Sequence, residues 1–194
     1  MAGTSVIRDQ LRALLQEPLK DWELLEAILQ PVTFKAGDFL SEAGKTANAI
    51  FFVETGIVRV YTVHQGKEIS MDFAFPQSFT TSFASFITRR PAVVNLQAIR
   101  PVNAYAFSYE DLHKLYAVSL QSQQIGRLMA EQQYLLKYNR ELSFLRFSAQ
   151  ERYAQLLKEH PEVVQHIPIK QIASYLGIEP ESLSRIRKNM SNMD

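Results

Sequence analysis

The sequence predicts an α+β chain: an antiparallel β jelly roll, then one long dimerisation helix, then a C-terminal helix-turn-helix domain. Three stretches carry that expectation. From residue 31 to about residue 108, short apolar runs recur at intervals of about 8–12 residues with glycine at the turns, as in antiparallel barrels and jelly rolls. From Gln121 to Arg146 a heptad pattern runs without proline. From Ile169 to Lys188, two short amphipathic helices are joined by a tight turn.

Residues 5–30 read as helical. Leu11, Leu14, Leu15, Trp22, Leu25, Ile28 and Leu29 recur at helical intervals, Pro18 breaks the run, and the helices are expected to pad the outside of the barrel. Strands are expected at 32–35, 50–53, 57–63, 68–75, 93–99 and 104–107, with turns at 36–38, 55–56 and 64–67. Between Pro76 and Pro91 the strands are interrupted by a stretch read as one short helix and a loop.

Ser108-Tyr109-Glu110-Asp111 has capping-box spacing and starts the helical half of the chain. In the heptad, Ile125, Gln132, Asn139 and Arg146 fall on one seam position, and Leu128, Leu135 and Leu142 on the other. Leucine at one position with a single Asn at the other is how parallel two-stranded coils fix register. The plainer reading is a helix packed on its own barrel through Met129, Leu136 and Tyr138; both can hold, because a helix has two sides. Ser148-Ala149-Gln150-Glu151 is a second capping box and marks a break after Phe147, which makes 146–148 the expected hinge. The expected divisions are 1–117 for a sensor with its N-terminal helices, 118–147 for the dimerisation helix and 148–194 for the DNA-binding domain.

In the last domain, Ile172, Ala173 and Leu176 form an apolar stripe, and Gly177 follows where a helix end favours a left-handed residue. Pro180 suits the first turn of the second helix, since its missing N–H would be unpaired there anyway. Leu183 and Ile186 face back; Glu181, Ser182, Ser184, Arg185 and Lys188 form the other, polar face. An αα-corner in a helical core does not require that polar face, whereas a helix entering the DNA major groove does. Glu179 departs from the Ser, Thr, Asp or Asn usual at an N-cap.

Composition bounds the function. The chain has 194 residues, 46% of them apolar and 21% charged, with a net charge of +1. That balance is globular and does not by itself indicate nucleic acid. Between residues 137 and 190, nine Lys and Arg stand against six Glu, a basic surplus that would double in a dimer. There is no cysteine, which excludes disulfides, thiolate catalysis and cysteine-ligated metal centres. His64, His113, His160 and His166 are scattered, with no cluster for haem, metal or a cupin centre, and no nucleophile–base pair stands out; no enzyme, metal or cofactor is expected. Neither a signal peptide nor a membrane span is present in the pattern, so a cytoplasmic location with no membrane partner is expected.

The whole layout resembles the Crp/Fnr family of bacterial transcription regulators, whose sensor is cyclic-nucleotide-binding-like and cupin-like in architecture. The resemblance rests on FKAGDFLSEAG at 34–44, FFVETGIVRVY at 51–61, the Gly66-Lys67-Glu68 turn, FSYEDLHKLY at 107–116, SAQERYAQLL at 148–157 and the helix-turn-helix itself. In that family the recognition helix often opens with Arg-Glu-x-x-x-Arg. Glu181 and Arg185 match the second and last of these, and Pro180 replaces the first. By that resemblance Glu181 accepts from cytosine N4 and Arg185 forks onto guanine. Ser182, Ser184, Arg187, Lys188 and Lys170 are placed for phosphates, which set position without reading sequence. For Arg187 and Lys188 the plainer role is solvation of a helix C-terminus.

Two departures follow. Many relatives carry wing strands after the recognition helix, whereas here only six residues follow Lys188, so the wing is expected to be missing or reduced. Cyclic-nucleotide members grip their ligand with a Gly-Glu and a later Arg-Ser/Thr. The matching stretch, 79–98, contains no Gly, Glu or Asp, with Ser82 near the expected Glu and Ala92-Val93 near the expected Arg-Ser. The chemistry for cyclic AMP is thus missing. Candidate effector-pocket residues are Thr81, Ser82, Arg89, Arg90, Asn95 and Gln97: the two arginines could supply a phosphate partner, and strand parity leaves Asn95 and Gln97 pointing in or out.

The expectation is therefore a homodimeric regulator that reads an inverted-repeat operator in double-stranded DNA through Lys170, Glu181, Ser182, Ser184, Arg185, Arg187 and Lys188. Its seam is Ile125, Leu128, Gln132, Leu135, Asn139 and Leu142. RNA polymerase and an unknown effector, or none, complete the partners that the resemblance implies. The rival expectation is a regulatory module that acts through a protein partner.

Overall fold

The structure, a computed structural model, describes residues 2–191. Two four-stranded antiparallel sheets face each other. One is ordered β1 (Gln30–Phe34), β8 (Val102–Ser108), β3 (Ala49–Thr55), β6 (Ser78–Thr80). The other is ordered β2 (Phe39–Ser41), β7 (Asn95–Ala98), β4 (Val58–His64), β5 (Lys67–Ala74). Between them Phe51, Val53, Val58, Val94, Leu96, Ala98, Val102, Ala104 and Ala106 close an apolar core.

The run Ile50-Phe51-Phe52-Val53 is apolar on both parities because its sheet is covered on both sides. Phe51 and Val53 point into the barrel, while Ile50 and Phe52 point out under α1 (Ala2–Leu15), α2 (Trp22–Glu26), α4 (Tyr109–Val118) and the first part of α5 (Leu120–Arg146). Leu11, Trp22, Leu25, Leu112, Leu115 and Ile125 fill that second layer.

The outer side of the other sheet is covered by the C-terminal helices α6 (Ala149–Glu159), α7 (Val163–His166), α8 (Ile169–Leu176) and α9 (Pro180–Ser191). Ile57, Phe73 and Phe75 from the barrel share one core with Tyr153, Leu156, Val163, Ile172, Ala173, Leu176 and Leu183.

Both expected caps form. Ser108 Oγ accepts the backbone N–H of Asp111, and Ser148 with Glu151 makes the full reciprocal box. Several details differ from the sequence reading. β2 and β6 are three residues each, too short to show a period-2 pattern, and were not expected. The helix expected between Pro76 and Pro91 is α3 (Phe83–Thr88), and the connection between Pro161 and Pro168 holds the single turn α7. Ile28 and Leu29 follow α2 and lead into β1 instead of extending the helix. The chain is not continuous from α4 into α5: Ser119 breaks it, caps α5 by accepting from Ser122 N–H, and donates to Asp21. The question of a reduced wing concerns the chain past Ser191 and lies outside the described residues.

Candidate nucleic-acid interface

The helix-turn-helix closes on itself through backbone geometry. Gly177 takes φ 70°, the left-handed conformation that ends α8, and Ile178 N–H reaches Ala173 C=O at 3.0 Å to complete the turn. Glu179 fills the N-cap place through its backbone: its carbonyl accepts from Ser182 and Leu183 N–H. Ile172, Ala173, Leu176 and Leu183 are buried where the helices cross.

This packing turns Glu181, Ser184, Arg185, Lys188 and Asn189 to solvent, and Lys170 is exposed in the first turn of α8. None of the ion pairs among the described residues uses Glu181, Arg185, Lys188 or Lys170. Ser182 is half-buried, and Ser184 Oγ bonds back to Pro180 C=O at 3.0 Å. Arg187 lies on the inner side, half-buried, where its charge acts on the Tyr153 hydroxyl; burial is the larger influence and raises that tyrosine's pKa. Asn189 shares the outward face and was missed by sequence reasoning, although its position one turn after Arg185 was a usable signal.

Two sets of contacts fix where this face points. One lies at the end of α5. Arg140 donates to Tyr175 C=O and Arg152 to Leu176 C=O, both at 2.8 Å, so two cations satisfy the last carbonyls of α8. Arg152 also donates to Phe147 C=O at 2.6 Å, across the expected hinge. Phe144 lies against both guanidiniums, at 4.9 Å from Arg140 and 4.5 Å from Arg152. Burial, then the nearby Arg140 charge, lowers the pKa of Arg152.

The other set lies on the barrel. β5 is the edge strand of its sheet, and α8 covers that edge. Ser174 Oγ accepts from Ser70 N–H at 2.9 Å and donates to Glu68 C=O at 3.3 Å. The Tyr175 ring packs on Phe73 with centroids 5.3 Å apart, and burial is the main cause of its raised pKa. Beneath lies Arg59, 3% exposed, bonded to Ser70 Oγ and Glu68 and stacked on Tyr61. His160 stacks on Phe75 at 3.7 Å. Nothing local in the sequence announces the contacts of Ser174 and Tyr175 with β5, since about a hundred residues separate the partners.

The candidate effector residues do not converge. Thr81 Oγ1 donates to Ala49 C=O, and Ser82 is buried at the start of α3. Arg89 is left-handed, donates to Ala47 C=O and Asn48 Oδ1, and lies 3.8 Å over Tyr109, outside the barrel. Arg90 is exposed, and its carbonyl accepts from Ser85 Oγ. Asn95 Oδ1 accepts from Ala43 N–H and Gln97 donates to Gly37 C=O, so both tie down loops beside β2. Arg59 is the one buried charged residue among the described residues, and it faces outward.

The seam needs one correction. Ile125 is 5% exposed and belongs to the core beneath its own N-terminal helices, with Leu11, Leu25 and Leu115; it is not available to a second copy. Leu128 packs partly on the same core. Further along, Gln132 and Asn139 are exposed, Leu142 is half-buried, and Leu135, Tyr138 and Leu145 stand 54%, 46% and 78% exposed. The helix crosses from its own sensor to open solvent as it runs.

Residues 31–119 match the family model of the cyclic nucleotide-binding domain. Known structures share the fold over most of the chain. FixK2 from Bradyrhizobium japonicum is 18% identical with TM-score 0.71 and 86% of each chain covered. The c-di-GMP-responsive global regulator CLP from Xanthomonas campestris is 18% identical with TM-score 0.67, covering 88% of this chain and 90% of that one. A protein from Eubacterium rectale assigned to the Crp/Fnr family of transcriptional regulators is 18% identical with TM-score 0.65, covering 92% of this chain and 85% of that one. No curated protein sequence matches.

Proposed function

We propose that this chain, a cyclic nucleotide-binding domain over residues 31–119 carried on the fold of the Crp/Fnr-type regulators, is a homodimeric DNA-binding transcription regulator that does not answer to cyclic AMP. The observation that carries the reading is the solvent face of α9, where Glu181, Ser184, Arg185 and Lys188 stand together on a helix whose other face is buried. Arg185 forks onto guanine O6 and N7, and Glu181 accepts from cytosine N4. Ser182, Ser184, Lys170 and Lys188 meet phosphates, while Arg187, on the inner side of α9, is left out of that set.

Dimerisation runs through the exposed side of α5, from Leu128 through Leu135 and Leu142, flanked by Tyr138 and Leu145, with Gln132 and Asn139 in register. Two copies of α9 then enter successive major grooves, so half-sites lie about 34 Å apart. Indifference to cyclic AMP is supported by the apolar residues that line the barrel interior and by the structural employment of Arg89, Asn95 and Gln97. The regulator is placed in the cytoplasm, acts with RNA polymerase, and takes no metal or catalytic role.

The test is selection from a random-site DNA library by fluorescence anisotropy at two salt concentrations, with and without cyclic AMP. An inverted repeat recovered without ligand is the expected result. Arg185→Ala should cost about 1–3 kcal/mol and relax one base position per half-site. Recovery only with cyclic AMP refutes the reading of residues 79–98. No recovered motif, with capture unaltered by Arg185→Ala, favours a protein partner over DNA.

A further inference from the structure

The geometry points to a DNA-backbone contact outside the helix-turn-helix: Arg100, on the barrel, meets a phosphate of the duplex that flanks each half-site. The inference rests on the reading of α9 as a helix that enters the major groove. Arg100 stands in the short turn between β7 and β8 and is exposed. Several contacts seat that turn beside the C-terminal helices. Ile99 N–H donates to Ile57 C=O at 2.8 Å, and the Ile99 side chain packs on the core that holds Val163 and Ile167. Gly56 lets the turn after β3 lie against Pro101, since a Cβ on it would stand 2.2 Å from the Pro101 carbonyl oxygen. Arg100 Nη1 donates to His166 Nδ1 at 3.4 Å. A guanidinium only donates, so this bond selects the imidazole that carries its proton on Nε2. His166 closes α7, and Lys170 follows four residues later in the first turn of α8.

The guanidinium is held in place but not neutralised. Among the described residues it makes no other hydrogen bond, and no carboxylate pairs with it. Glu162, on the same turn of chain as His166, pairs with His160 instead, at 3.5 Å. With one N–H turned to His166, the other donors of Arg100 stay open to an acceptor. Lys170 is likewise exposed and in no ion pair among the described residues. The two cations flank His166, one from the barrel and one from α8, so the basic surface of the helix-turn-helix continues onto the barrel without an acidic break at this joint. Oriented cations with no counter-charge suit phosphate oxygens, which fix the position of a duplex without reading its sequence. A duplex that leaves the α9 groove past Lys170 next runs over Arg100. The operator is therefore longer than two recognition helices need, and its outer parts are read by charge alone.

The test uses the operator selected by the full chain, made as two duplexes. One ends at the half-sites; the other carries about ten further base pairs on each side, one helical turn. Anisotropy titrations across a salt series give the slope of log K against log salt concentration. On the longer duplex, Arg100→Ala should make that slope shallower by about 1.8, or about 0.9 for each of two copies. On the shorter duplex the slope should stay at the wild-type value. Arg100→Lys keeps the charge and should keep the wild-type slope on both. Base preference should be unaltered in either variant, whereas Arg185→Ala should relax it on both duplexes and leave the flank effect in place. A slope on the longer duplex that Arg100→Ala does not change overturns the contact and leaves the reading of α9 standing. An equal loss on both duplexes marks the Arg100–His166 bond as structural only, and overturns it too. If wild type selects no operator, the reading of α9 fails and this contact with it.

Discussion

Replacing Gly177 by alanine tests how the solvent face of α9 is seated. Gly177 lies at φ 70°, where a side chain costs about 1–2 kcal/mol. Its Cβ would also stand 2.9 Å from a ring carbon of Phe144, closer than carbon atoms pack. Phe144 is partly exposed and can swing away, but only by leaving the guanidiniums of Arg140 and Arg152. Each stack at such a site is worth about 0.5–1 kcal/mol. The combined loss is about 2–4 kcal/mol, read as a lower free energy of urea unfolding. In a Phe144→Ala background the steric part is absent, and the same substitution should cost only about 1–2 kcal/mol. The double-mutant cycle therefore carries a coupling of about 1–2 kcal/mol. A Gly177→Ala cost that is the same in both backgrounds would refute the claim that Phe144 is the wedge between α5 and the turn.

Further outcomes follow from other contacts. Leu135→Asp combined with Leu142→Asp places two charges on the exposed side of α5 and should give a monomer by sedimentation, with the sensor core intact by near-UV circular dichroism. Ser174→Ala leaves the Ser70 N–H without its acceptor, which should cost about 1–3 kcal/mol and speed hydrogen exchange at the Ser70 amide. Hydrogen bonds from the Ser148 backbone, then from its side chain, lower the pKa of Glu151. A depressed carboxylate contributes stability above its unfolded pKa, and that contribution is lost as pH falls through the folded value. Acid titration of urea stability should therefore show a Glu151 component that Ser148→Ala reduces, because the Ser148 backbone N–H remains, and that Glu151→Gln removes. Ser122→Ala, by deleting an unpaired buried hydroxyl, should raise the urea midpoint.

What the sequence announced was local chemistry. Ser108 and Ser148 mark helix starts because capping is decided within four residues, and Gly177 with Pro180 mark the turn because each suits a backbone conformation others resist. The barrel strands showed through their apolar runs, except β2 and β6, whose three residues are too few to display an alternation. Ile125 fits the heptad as well as Leu135 does; only packing tells that Ile125 meets Leu11 and Leu25 of its own chain. Asn95 and Gln97 looked like ligand contacts because polar side chains on strands invite that reading, yet their partners are the loop backbones at Ala43 and Gly37, distant in sequence. Arg140 and Arg152 counted only as part of a basic surplus, although they hold the end of α8.

The cover that α8 lays over β5 bears on how such proteins can be recombined. Phe147 marks a joint along the chain, yet Ile57, Phe73 and Phe75 on one side of it share a core with Ile172, Ala173 and Leu176 on the other. A fragment stopping at Arg146 would bare those aromatics together with an unclaimed strand edge. Barrel and C-terminal helices are thus not interchangeable modules. A chimera that grafts a different helix-turn-helix onto this barrel has to bring a first helix with a serine and an aromatic at the places of Ser174 and Tyr175, or supply another lid for the same strand.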